Sequence, residues 1–262
     1  MLWSAAMPDI PLAIATEITA RFVAGHVSRG ATILEVGSGH GDLALALGQR
    51  GFVVTAIDAD VRCVEQAIRR GVHALRAEWP DFDAPAFDAV AFTRSLHHMM
   101  SVPKALEAAH RLLRPGGTLL LDDFAFEAAD AAAVNWLRAE AEALRASSLL
   151  DLDADGPPLL PLLQASRDPL GDWNRYHAQH GVHHGAELVA AVAQRFRDCV
   201  VSGVPYLYRC LIPRLLGDAR GAAAARACLE RERQAIAAGA IPPLGRHVVA
   251  RRDPDHDAER RA

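Results

Sequence analysis

The run ILEVGSGHGD, residues 33–42, decides the fold. Its apolar start, Ile33 to Val36, reads as a strand. Gly37, Gly39 and Gly41 then break it, and a helical pattern runs from Asp42 to Arg50. Glycines at a strand-to-helix turn let the chain reverse sharply and let a ligand approach the backbone closely. The spacing narrows the ligand. A dinucleotide fingerprint would need glycine at position 42, where Asp42 stands, and no Gly-Lys-Ser/Thr follows to make a P-loop.

Strand and helix alternate on either side of this turn. Residues 10–28 read as an amphipathic helix, with Ile10, Ile14, Ile18 and Phe22 at helical spacing. Gly51 fits a helix C′ position, residues 53–57 read as a second strand ending in Asp58, and Asp60 caps a helix running to Arg70. Strands over 72–76 and 89–92, a helix over 102–113, a turn at 114–117 and a strand over 118–121 follow. The strands are continuously apolar and the connections short, which predicts an α/β fold with a mostly parallel sheet covered on both faces. Right-handed crossovers bring the carboxyl ends of such strands to one edge, where an open α/β sheet holds its ligand.

Alternation lapses after Leu121. Residues 126–184 hold an Ala-rich helix over 127–149, an acidic Pro-rich stretch over 151–161 and the segment GDWNRYHAQHGVHHG. They read as a helical lid insertion folding over the crevice. Helix 186–196, strand 198–202, helix 219–238 and strand 247–250 resume the core. The expected organisation is one domain over 1–262: a helical cap at 1–30, a ligand-binding core at 31–125, the lid at 126–184, the rest of the core at 185–252 and a tail at 253–262.

At 262 residues and 51% apolar the chain can bury a sizeable core, and its net charge of −4 gives no footprint for nucleic acid or an anionic membrane. Cys63, Cys199, Cys210 and Cys228 are scattered without a CxxC spacing, so buried free thiols are expected. Asp9, Pro11 and Glu17 interrupt the apolar N-terminus and no basic stretch precedes it, so no signal peptide is expected. No window reaches the ~18 apolar residues of a membrane span. These features predict a cytoplasmic protein, monomer or homodimer, with a small-molecule substrate.

Two acids flank the glycines. Glu35 lies two residues before Gly37, and Asp58 ends the second strand 21 residues beyond it. An acid at the second place can accept both hydroxyls of an adenosine ribose, or can cap a helix. Taken in order, ExGxGxG from Glu35 to Gly41, the acid Asp58, FDAV at 87–90, LHH at 96–98 and LLRPGG at 112–117 resemble the class I methyltransferases related to quinone-biosynthesis C-methyltransferases.

The resemblance covers about residues 30–125 and implies a Rossmann-like sheet ordered 3-2-1-4-5-7-6, its last strand antiparallel, with S-adenosylmethionine along the ends of strands one to four. It implies that Glu35, Gly37, Ser38 and Gly39 hold the methionyl part, that Asp58 and Ala59 hold the ribose, and that Thr93 lies beside the methionyl group. Glu78 would meet the adenine amine, with Trp79 or Ala77 beside the ring; here the chain reads RAEWPDF where related sequences commonly read Asp-Ala. The chemistry agrees. The cofactor carries a sulfonium and an ammonium but no phosphate, so a rim of carboxylates suits it.

The implied reaction is in-line methyl transfer to an oxygen, nitrogen or carbon nucleophile of a small molecule, releasing S-adenosylhomocysteine. Most of its catalysis can come from alignment in a dry site, with a base needed only for a protonated nucleophile. Candidate bases are His98, after strand four beside His97, and Asp123, beside Asp122 at the end of strand five. The lid adds His180 and His183, in company with His177, His184, Asp172, Trp173 and Tyr176. The competing readings are packing for His97 and turn capping for the two aspartates. No cysteine joins the histidines and Gly181 interrupts their helix, so no metal is expected. Tyr206, Tyr208 and Arg209 line the same cavity or serve amphipathic packing. The alternative functions are a cyclisation or rearrangement on the same fold, and a non-catalytic cofactor-binding partner.

Overall fold

The structure is a computed structural model describing residues 10–152 and 157–253. Along the chain run α1 (Pro11–Ala24), β1 (Thr32–Val36), α2 (Asp42–Gln49), β2 (Val53–Asp58), α3 (Val61–Arg69), β3 (Ala74–Arg76), β4 (Phe87–Thr93), α4 (Val102–Leu112), β5 (Leu113–Phe124), α5 (Ala131–Ala146), α6 (Leu159–Ala165), α7 (Pro169–Gln179), α8 (Gly185–Arg195), β6 (Arg197–Val204), α9 (Leu207–Leu211), α10 (Ala219–Ala237) and β7 (Gly245–Arg251). The strands form one sheet in the order β3-β2-β1-β4-β5-β7-β6. β1 pairs in parallel with β2 and β4, β2 with β3, and β4 with β5. β7 runs antiparallel to β5, since the Arg252 N–H donates to Gly117 O at one end and the Ala125 N–H donates to Leu244 O at the other. This is the sheet that the resemblance implies.

Two differences from the sequence reading have physical causes. The turn read at 114–117 lies inside β5, because the Gly116 N–H and Gly117 carbonyl bond to Arg252 and extend the strand. The helix read over 127–149 is the shorter α5, preceded by a single 3₁₀ turn at Phe126–Ala128. Asp130 sets its start by accepting the Ala133 N–H, which satisfies a donor that the helix cannot.

The chain divides into two compact units. The sheet unit comprises Glu17–Asp123, Gly185–Ser202 and residues 246–253. Its core packs Leu34, Val36 and Phe92 from central strands with Leu106 of α4 and Val192 of α8, all buried. Each such side chain contributes roughly 1.5–3 kcal/mol of burial. Gly51, at φ 86°, ends α2, and Asp60 caps α3 by accepting the Arg62 N–H. The second unit comprises residues 10–16, Phe124–His184 and Gly203–Gly245. Leu137, Leu163, Trp173, Leu207 and Tyr208 are buried in it, and the Trp173 indole N–H donates to Phe126 O at 2.9 Å.

All four cysteines are free, but only Cys228 is fully buried; Cys63, Cys199 and Cys210 are half-buried, short of the burial expected for them. Among the described residues no helix is long and apolar enough to cross a membrane.

Candidate functional site

The sheet unit builds the glycine loop from its neighbours. Gly37 (φ 72°) and Gly39 (φ 53°) take left-handed backbone, and the Gly37 and Ser38 N–H groups both donate to Ile57 O on β2. Asp58, the last residue of β2, closes the turn. Its Oδ2 accepts the Gly39 N–H at 2.8 Å and its Oδ1 accepts the Asp60 N–H at 2.9 Å. The acid therefore braces the loop, and each oxygen keeps further acceptor capacity.

A cavity of about 460 Å³ opens at these strand ends, lined among others by Gly37, Asp58, Glu78, Trp79, Arg94 and His98. Ala59 is exposed at its edge and Glu78 is exposed. Trp79 is half-buried and meets the Phe92 ring edge-on, with ring centroids 5.7 Å apart. Its Nε1 has no hydrogen-bond partner among the described residues, nor has the buried Ser38 Oγ. Glu35, one residue before the strand ends, is only 2% exposed. Burial pushes its carboxyl up to about 8, opposed by the Arg94 guanidinium and the Thr93 hydroxyl, while Asp42 pushes the same way as burial. Thr93 Oγ1 lies 3.5 Å from Oε1, and Oε2 has no partner among the described residues. A buried carboxyl oxygen left so is a ready acceptor for a hydrogen-bond donor.

At the ends of β4 and β5 the structure joins residues that sequence left apart. His97, buried, donates from Nδ1 to Asp123 Oδ1 at 2.5 Å, while His98 is exposed on the cavity with its ring 4.1 Å from that of His97. Asp123 is 1% exposed and stands behind an imidazole. Asp122, equally buried, accepts from Thr19 Oγ1 at 2.5 Å and lies 3.5 Å from His247 Nε2. Arg94, a residue the sequence reading passes over, has its N–H on Asp122 O at 2.8 Å and a guanidinium nitrogen 3.7 Å from Asp122 Oδ2. Its position between Thr93 and LHH was the one available signal.

The remaining candidates belong to the second unit. His177 is buried, donates from Nδ1 to Trp173 O at 2.8 Å and stacks on Phe126 at 5.0 Å. His180 is exposed at the end of α7 and bonds Tyr176 O at 2.6 Å; His183 is half-buried and His184 exposed. No group of three or more His, Cys, Asp or Glu residues is placed to hold a metal among the described residues. Tyr206 stacks on Phe124 at 4.2 Å and Tyr208 is buried. The N–H groups of Tyr206, Leu207 and Tyr208 all donate to Glu232, a fully buried carboxylate on α10.

A sequence model of the methyltransferase domain family matches residues 12–154. A ubiquinone biosynthesis O-methyltransferase from Xanthomonas campestris pv. campestris is 34% identical over 133 residues, which is 45% of this chain and 54% of that protein. The chain thus spans about half the length of the curated relatives it matches, and several of these are named as ubiquinone biosynthesis O-methyltransferases where the motifs resembled quinone-biosynthesis C-methyltransferases. Two solved structures share the fold. A protein assigned as a methyltransferase of antibiotic biosynthesis in Anabaena variabilis aligns with TM-score 0.55 and 15% identity, covering 89% of this chain and 96% of that one. A phosphoethanolamine N-methyltransferase of Haemonchus contortus, solved with S-adenosyl-L-methionine, aligns with TM-score 0.54 and 14% identity over 93% of this chain and 52% of that one.

Proposed function

The chain belongs to the class I S-adenosylmethionine-dependent methyltransferases, and from that premise we propose that it methylates a small molecule at its strand-end cavity. The observation that carries this is the acidic surround of the strand ends: Asp58 bracing the loop and Glu78 exposed, both lining the cavity, with the buried Glu35 carboxyl, one oxygen unpartnered among the described residues, two residues before Gly37. Such a surround fits a cationic cofactor with no phosphate. When bound, S-adenosylmethionine supplies an activated methyl group.

The chain's own residues bind and orient. Glu35 and the Gly37, Ser38 and Gly39 backbone would hold the methionyl part, Asp58 and Ala59 the ribose, Glu78 and Trp79 the adenine, with Thr93 beside Glu35. His98, exposed on the cavity, would take the proton of a protonated acceptor. Asp123 bonds Nδ1 of the neighbouring His97 and so fixes the orientation of that ring behind His98. Among acceptor atoms, the relatives' names favour oxygen.

Calorimetry with S-adenosylhomocysteine tests binding, and product mass from an acceptor panel separates methylation from cyclisation or mere binding. Absence of any binding by folded protein would overturn the reading. A base role for His180 or His183 predicts that the alanine variant loses about 10²-fold or more in turnover with cofactor affinity unchanged.

A further inference from the structure

A cradle for a cation has little use for an arginine, yet Arg94 lines the cavity beside Gly37 and Asp58. Its backbone is left-handed, with φ 58°, a conformation that glycine takes readily and a long side chain rarely. Both flanks hold it there. Its N–H donates to Asp122 O at 2.8 Å, and the next residue, Ser95, donates from Oγ to Val36 O at 2.6 Å. The guanidinium is left with spare capacity, since Nη1 is buried without a hydrogen-bond partner among the described residues and Asp122 Oδ2 lies 3.7 Å from it. Glu35 feels its charge, but no ion pair within 4 Å joins the two. A strained backbone thus aims an underused cation into a cavity, next to a buried carboxyl with an unused oxygen.

We propose that Arg94 is a specificity-determining residue of this cavity, the receptor for a carboxylate. The inference rests on the cofactor reading above and deepens it. Two molecules can bring that group: the amino-acid end of the cofactor, whose ammonium would then face Glu35, or an anionic acceptor. In both cases Asp122 is a positioning residue, fixed by Thr19 and His247 and holding Arg94 through its carbonyl and carboxylate.

The test compares wild type with Arg94→Gly, which suits the left-handed backbone and so keeps the loop. Calorimetry uses S-adenosylhomocysteine, then 5′-methylthioadenosine, which lacks the amino-acid end, then benzoate added to protein saturated with S-adenosylhomocysteine. The expected result is a loss of about 10- to 100-fold in S-adenosylhomocysteine affinity with 5′-methylthioadenosine unaffected, which assigns the carboxylate to the cofactor. Equal S-adenosylhomocysteine affinity, with benzoate bound by wild type and not by Arg94→Gly, supports the receptor role with an anionic acceptor. Identical behaviour of the two proteins toward all three compounds overturns the inference while leaving the cofactor reading intact. Wild type that binds neither nucleoside overturns that reading itself.

Discussion

At Gly37 a β-carbon would lie 2.6 Å from Ser95 Cβ, whereas at Gly39 it would meet nothing within 4 Å. The first glycine answers to the protein's packing; the second leaves open space at the loop. Gly37→Ala is therefore expected to lose roughly 2–4 kcal/mol of stability, and Gly39→Ala only about 1 kcal/mol of left-handed strain, while Gly39→Ala weakens S-adenosylhomocysteine in calorimetry. Equal stability losses would contradict the packing argument. Glu35 carries the pH prediction. Its carboxyl, raised from 4.5 to about 8 by burial, keeps a proton that the unfolded chain gives up. Stability from this site is fully present below about pH 4.5 and is lost as pH rises through about 8. Glu35→Gln, always neutral, should match wild type near pH 4 and exceed it by roughly 2–4 kcal/mol near pH 9, read by denaturant unfolding. A difference constant across that range would sink the assignment. Glu35 and the glycines are legible in sequence because they lie along one turn, and Asp58 because it ends the strand that follows and pairs with β1. Arg94 is not, since nothing in its type announces a left-handed backbone, and His97 meets Asp123 only because β4 and β5 pair.

Helix ends were legible where a short side chain or a glycine does local work, as at Gly51 and Asp60. Two short helices were not. α6 and α9 run 7 and 5 residues, too few turns for an apolar period to stand out. α9 also depends on a distant residue, because Glu232 from α10 accepts the N–H groups that open it. Burial raises that carboxyl against the pull of those N–H donors and of nearby Arg209. Glu232→Ala would leave the donors buried without an acceptor and is expected to cost roughly 3–5 kcal/mol, with Glu232→Gln recovering part of it. Thermal unfolding of both variants checks this, and an alanine variant as stable as wild type would show that water satisfies the helix start instead.

On the scale of the chain, 28 basic and 32 acidic residues leave a net charge of −4, so no long-range field gathers a polyanion and recognition rests on local groups. The sheet unit holds the loop, the cavity and the buried pair His97–Asp123, where the proposed cofactor site lies. A ligand that binds only folded protein stabilises it by about 2.7 kcal/mol at a concentration 100 times its Kd. Where amides exchange through opening of the sheet unit, that energy appears as slower exchange. S-adenosylhomocysteine at such a concentration should therefore slow exchange roughly 100-fold at residues 35–41, 58–60 and 94–98. Gly37 and Ser38 are the sharpest reporters, because both already donate to Ile57 O and need an opening event to exchange. The same measurement on Asp58→Ala, which loses the brace on Gly39, should show faster basal exchange in 37–41 and little slowing by ligand. A rise in thermal stability with ligand that left exchange at all three segments unchanged would place the binding site elsewhere in the protein.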